Sequence, residues 1–238
     1  MKAYFAVGDS HTALKFLDGH RMLISFAYVG SSFLPMKSVP DIARAASGLM
    51  IDSGAFTAWR KGKSIDLNAY VDFLRDQQLY DSALTLDVIG DADASMANWS
   101  CLHGSFPAIV PVWHEGDPVE HIDEYVAHSP LVALGRIAGR RSLQKTLEFY
   151  DAAFNRHEHA YHALGNADPN QLEAYPFESL DSTGWQRDAA YSNSKGWPFN
   201  RCTKETRLRA YIEATETIEY RPPKQTTLGE MMRLRRRA

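Results

Sequence analysis

The chain has 238 residues, 45% of them apolar and 23% charged, with a formal net charge of −3. That length accommodates one barrel or two small domains with a substantial core, and the composition excludes wholesale disorder. Near-neutral charge removes any global basic field that would advertise a nucleic-acid partner, while leaving room for a local basic rim. The two cysteines, Cys101 and Cys202, make neither a disulfide framework nor a CxxC zinc pattern and read as reduced thiols. MKAYFAVGDSHTAL lacks the apolar run of a signal peptide, and no apolar stretch reaches membrane-spanning length. The expectation is a cytoplasmic protein with no membrane partner.

Short apolar runs recur, each followed by a polar or glycine-rich corner and then a helix-like segment. MLISFAYVG (22–30) is the first strand and GLMIDSGAF carries the second, whose apolar part ends at Ile51. Helical periodicity follows, with Leu67, Tyr70, Val71, Leu74 and Leu79 near one face and Asp66 as N-cap. ALTLDVIGD (83–91) gives the third strand; Asp91 and Asp93 then read as turn or cap residues before a helix over 94–102. PAIVPVWHEGD is the fourth, and Asp117-Pro118 reads as a cap with proline in the first turn. PLVALGRIAG is the fifth strand, before a helix over 142–154. AYHALGNADP is the sixth, before a shorter helix over 169–175, and FESLDSTGW carries the seventh. An eighth strand is placed at 197–199, with the amphipathic segment 203–219 as closing helix.

Strands alternating with helices indicate parallel βαβ units. Seven or eight such units imply a single-domain α/β fold, a TIM-type (β/α)8 barrel over 1–220, with a basic tail over 221–238. A doubly wound sheet competes, but no GxGxxG follows the first strand and no P-loop occurs.

Barrel active sites lie at the C-terminal strand ends. That rule selects Asp52, Asp87, Trp113 with His114, Gly135 with Arg136, Gly165 and Asp181. One Asp after a strand is explained equally well as a turn former; three in equivalent positions point to chemistry. A divalent-metal cluster competes, without an HxH or HExxH pair to support it. His162, inside the sixth strand, reads equally as core or functional. Ser53 and Gly54 leave room for a ligand to approach the backbone. Phe56 offers a face for a heterocyclic base, although taken alone core packing from the first turn of a helix is the favoured reading.

With DSGAF and LGNADPNQLEAYPFESLDSTGW in view, the chain resembles the tRNA-guanine transglycosylase superfamily, in particular the short DpdA-type enzymes of phages and bacteria. Those enzymes exchange guanine for a 7-deazaguanine in DNA. The family motif DSGGFQ resembles Asp52 to Thr57, with Ala55 and Thr57 as departures; LDVIGD, PVWHEG and ALGRIAG follow in the family's order. The resemblance implies Asp181 as nucleophile at C1′ and Asp52 as general acid/base. It implies Phe56 as a stacking face, Asp87 on the pyrimidine edge, and Trp113 or His114 in the place of a base-reading glutamine. Gly135 and Gly165 would lie against the base, and Arg136, standing for a family glycine, would reach the base or a phosphate. The tRNA enzymes carry a three-cysteine, one-histidine zinc site after the nucleophile strand; only Cys202 follows Asp181, so the expectation is no metal and no cofactor. The short chain and the missing zinc site place DNA ahead of tRNA as the polymer, with a 7-deazaguanine such as preQ0 as the incoming base. Phosphate contacts are expected from Arg60, Lys61, Lys63, Arg140, Arg141, Arg187 and Lys195, joined by the tail cations Arg233, Arg235, Arg236 and Arg237. A metal-dependent barrel hydrolase and a non-catalytic nucleic-acid binding module are the readings from other classes.

Overall fold

Strand periodicity sorts side chains into two cores. The computed structural model describes residues 1–135, 143–186 and 203–221. Its strands are β1 (Lys2–Ala6), β2 (Arg21–Ser25), β3 (Gly48–Asp52), β4 (Ser82–Leu84), β5 (Ile109–Val110), β6 (Val112–His114), β7 (Val132–Gly135), β8 (Tyr161–Leu164) and β9 (Ser179–Ser182). All pairings are parallel, in the order β5-β4-β3-β2-β1-β9-β8-β7-β6. β5 and β6 flank Pro111. Proline has no N–H for the ladder, and its carbonyl accepts from Ala133 N–H at 2.9 Å while Val110 accepts from Thr85 N–H. One strand interrupted at Pro111 therefore pairs with β4 on one side and β7 on the other, closing an eight-strand barrel.

Alternate residues point inward and outward along each strand. Tyr4, Leu23, Met50, Leu84, Val110, Val112 and Ala133 fill the barrel interior. Phe5, Met22, Ile24, Leu49, Ile51, Leu134, Tyr161 and Leu180 face the helices in the larger outer core. Each fully buried Leu, Ile or Met contributes about 1.5–3 kcal/mol. The same parity sends Asp52, two residues after Met50, and His114, two after Val112, toward the barrel axis at its C-terminal end.

Helices α1 (Ser10–Phe16), α2 (Val39–Ala45), α3 (Ala55–Trp59), α4 (Leu67–Gln77), α5 (Ala92–His103), α6 (Val119–His128), α7 (Leu143–Phe154) and α8 (Pro169–Leu172) connect the strands, and a closing helix spans Lys204–Glu216. Asp66 and Asp91 cap α4 and α5, accepting from Asn68 N–H and Ala94 N–H, as the sequence suggests. Several expectations change. The eighth strand is β1, at the N-terminus, paired with β9; 197–199 lies outside the described residues. α4 stops at Gln77 with Gln78 left-handed, so Leu79 is exposed and Phe73 takes the buried position. Asp117 does not cap α6, whose N-cap is Pro118; its carboxylate turns back to accept from His114 N–H at 2.8 Å. Residues 26–28, expected to continue the first strand, form a 3-10 turn. Arg221, the first residue of the expected tail, donates its N–H to Glu173 O at 2.8 Å.

Candidate active site at the barrel mouth

The three carboxylates read from the sequence share one space. Asp52 feels the like charges of both Asp87 and Asp181, as expected for acids at the C-terminal ends of barrel strands. Desolvation, with those charges, pushes the Asp52 pKa up to about 6. The Gly54 N–H and a poorly aligned approach of the Ser25 hydroxyl, across the β2–β3 register, pull it down without prevailing.

Asp181 is 3% exposed at the end of β9. Its Oδ1 accepts a short hydrogen bond from Gly165 N–H and lies 3.3 Å from His162 Nε2. His162 is fully buried, and its Nδ1 is 2.8 Å from Ser179 Oγ. A carboxylate oxygen accepts, so Nε2 donates to Asp181 while Nδ1 shares a hydrogen bond with the Ser179 hydroxyl. Both hydrogen bonds found on Asp181 among the described residues fall on Oδ1. The loop that presents Gly165 is fixed in turn: Asn166 donates to Tyr150 Oη at 2.8 Å, and Asp168 caps α8.

Asp87 lies on the opposite wall. His114 Nε2 is 3.0 Å from its Oδ2, and Ser53 Oγ donates to its Oδ1 at 3.4 Å. Burial opposes charge on His114, but hydrogen bonds to Asp117 and Asp87 outweigh it and raise the pKa to about 9. The ring is an imidazolium at neutral pH, with both N–H groups directed at carboxylates. Its Nε2 orients the Asp87 carboxylate.

Two glycines make this packing possible. Gly54 has φ of 79°, and a Cβ there would lie 2.4 Å from Ala27 Cβ. A Cβ on Gly135 would meet His114 Cδ2 at 2.7 Å, so the bare backbone is what admits the imidazole.

Several residues expected to touch substrate do other work. Trp113 points outward, 4% exposed, stacked on Phe149 at 5.0 Å with its Nε1–H on Pro118 O; adjacent strand residues cannot both face the mouth. Ser53 is fully buried and holds Asp87. The Gly165 N–H is occupied by Asp181 and the Gly135 carbonyl by Glu115 N–H. Phe56 belongs to neither core; it lies half-buried beside Trp59, ring centroids 5.8 Å apart, with the Arg60 guanidinium 5.9 Å from its ring. Arg60, Lys61 and Lys63 are exposed after β3. Arg136, Arg140, Arg141, Arg187, Lys195 and the tail arginines lie outside the described residues. Among the described residues, no group of three or more His, Cys, Asp or Glu is placed to hold a metal ion, and no helix is long and apolar enough to cross a membrane.

No protein-family model and no curated protein matches the chain. Solved structures do. A single-site variant of the tryptophan synthase alpha-subunit from Pyrococcus furiosus aligns at TM-score 0.58 and 10% identity, over 91% of this chain and 96% of that one. A candidate fructose-1,6-biphosphate aldolase from Coccidioides immitis aligns at TM-score 0.53 and 14% identity, over 91% and 89%. A tryptophan synthase chain from M. tuberculosis aligns at TM-score 0.52 and 12% identity, over 92% and 93%. Similarity at this level establishes the fold: the chain is a single-domain (β/α)8 barrel.

Proposed function

We propose that this chain is a barrel enzyme, a DNA guanine transglycosylase that exchanges guanine for a 7-deazaguanine such as preQ0. The observation that carries the reading is the division of three mouth carboxylates among three environments. One is pushed up to a pKa of about 6, one is held through Oδ1 by the Gly165 N–H and His162, and one lies 3.0 Å from the His114 ring. That division matches what base exchange with retention requires.

In the first step Asp181 Oδ2 attacks C1′. The C1′–N9 bond breaks, the electron pair leaves with guanine, and protonated Asp52 supplies the proton. In the second, Asp52 removes the N9 proton of the incoming base, whose N9 displaces Asp181 from C1′. Two inversions give net retention. Asp87 accepts from the N–H groups of the pyrimidine edge. His114, with both ring protons engaged, acts through Asp87 and does not read the base itself. Phe56, outside both cores, supplies the stacking face for a base taken out of its helix, a step that costs a few kcal/mol.

The likeness to barrel enzymes supports catalysis over a binding module. The test is nucleoside analysis of DNA and tRNA from cells that make 7-deazaguanines and express the chain. The modified nucleoside is expected in DNA; its appearance in tRNA alone would reassign the polymer, and its absence from both would refute base exchange.

A further inference from the structure

The loops that leave β2 and β3 carry side chains that the base-exchange chemistry does not use. Among the described residues, the solvent-exposed aromatic side chains are Tyr28, Phe33, Trp59 and Tyr220, and three of these four lie in the segments that follow those two strands. Phe33 is 66% exposed and Trp59 50%, with Met36, on the same loop as Phe33, at 47%. Single exposed apolar residues need no explanation. Three exposed aromatics that follow two neighbouring strands at the catalytic end of the barrel are more than scatter and suit a binding surface.

Charge on the same loops has one sign. Residues 26–40 and 53–65 contain Lys37, Arg60, Lys61 and Lys63 and not one Asp or Glu, in a chain where acidic residues outnumber Lys and Arg by 29 to 26. The cations are interleaved with the rings. Lys61 Nζ lies 5.3 Å from the Tyr28 ring centroid, joining one loop to the other, and Arg60 lies over Phe56, which packs on Trp59. A cation over a ring face costs little to leave when a base takes its place, and it remains near a phosphate one nucleotide away.

We propose that this platform binds single-stranded DNA next to the target nucleotide, with Trp59, Tyr28 and Phe33 stacking on unpaired bases and Arg60, Lys61 and Lys63 meeting the phosphates. Aromatic faces distinguish the single strand from a duplex: paired bases keep their π-faces inside the helix, and only an opened strand offers them. The choice of DNA rests on the base-exchange reading; the platform itself does not.

The experiment uses the full chain and fluorescence anisotropy, with no incoming base. The probes are fluorescein-labelled oligo(dT), the matching oligo(dT)·oligo(dA) duplex, and oligo(U). The wild type is expected to bind oligo(dT) more tightly than the duplex. Tyr28→Ala combined with Trp59→Ala should weaken oligo(dT) binding by about tenfold or more and leave duplex binding within about twofold. Trp59→Phe, which keeps a ring, should retain most of the affinity. Lys61→Gln should lower the salt-dependence slope by about one. Thermal unfolding of each variant confirms that the exposed positions leave the fold intact. Unchanged oligo(dT) binding by the double variant, or equal losses on single strand and duplex, would overturn the platform. Tighter binding of oligo(U) would overturn DNA as its occupant. Base exchange can fail in cells while this binding pattern holds, and base exchange can proceed while the double variant binds normally, so the two claims fail separately.

Discussion

Replacing Asp52 with asparagine should make the protein more stable at neutral pH while abolishing base exchange. Burial and two neighbouring carboxylates raise the Asp52 pKa from 3.8 to about 6, so the fold prefers the protonated side chain. A raised folded-state value means that this favourable contribution is complete below the unfolded pKa and is lost as pH rises through the folded one. The window is therefore about pH 4 to 6, and above it the wild type retains the full cost of an ionised, desolvated carboxylate. At about 1.4 kcal/mol per pH unit, that cost is about 3 kcal/mol. An asparagine side chain at this position would keep an acceptor for the Gly54 N–H and carry no charge. Urea unfolding of wild type and Asp52→Asn at about pH 8 and about pH 4, on either side of the window, measures the effect. The variant should gain up to about 3 kcal/mol at the higher pH and nothing at the lower. Equal stabilities at the higher pH would refute the claim that the mouth desolvates this carboxylate, and with it the assignment of Asp52 as a proton carrier near neutrality.

Loss of the His162–Asp181 hydrogen bond in His162→Leu should lower kcat about tenfold to a hundredfold with KM little changed, and His162→Gln, which keeps a donor, should recover part of it; a matching rise in KM would mean that His162 serves binding instead. The imidazolium of His114 contributes stability that is complete below about pH 6.5 and lost as pH rises through about 9. Urea midpoints of the wild type should therefore fall across that window by more than those of His114→Gln, and parallel curves would contradict the ion-paired ring.

Much of the mouth was legible because strand ends are legible. Apolar runs closing on Asp52, Asp87 and Asp181 place each acid where a barrel gathers its chemistry, and the structure puts Asp87 and Asp181 within the electrostatic reach of Asp52. Period-two parity, applied strictly, separates Trp113 from His114 in advance: Val112 fills the interior, so His114 follows it inward and Trp113 turns to α7. What stayed hidden depended on pairing between distant segments. KAYFA becomes the closing strand only because β9, from the far end of the chain, is its neighbour, with Tyr4 opposite Asp181. His162 reads as an isolated polar residue in an apolar strand until the register sets Ser179 directly across from it, with Asp181 two residues further along β9. Asp117 followed by proline has the local pattern of a helix cap, yet its carboxylate is taken by the His114 backbone and ring, a tertiary demand that local propensity does not register.

The central claim is that Asp181 forms a covalent bond to C1′ of a DNA nucleotide. The direct measurement incubates the full chain with a guanine-containing DNA strand and no incoming base, quenches by denaturation, and maps the digested protein by mass spectrometry. DNA is expected on the peptide bearing Asp181, with guanine released in equal amount and no adduct in Asp181→Asn. Guanine release without an adduct, or an adduct on another residue, would contradict it.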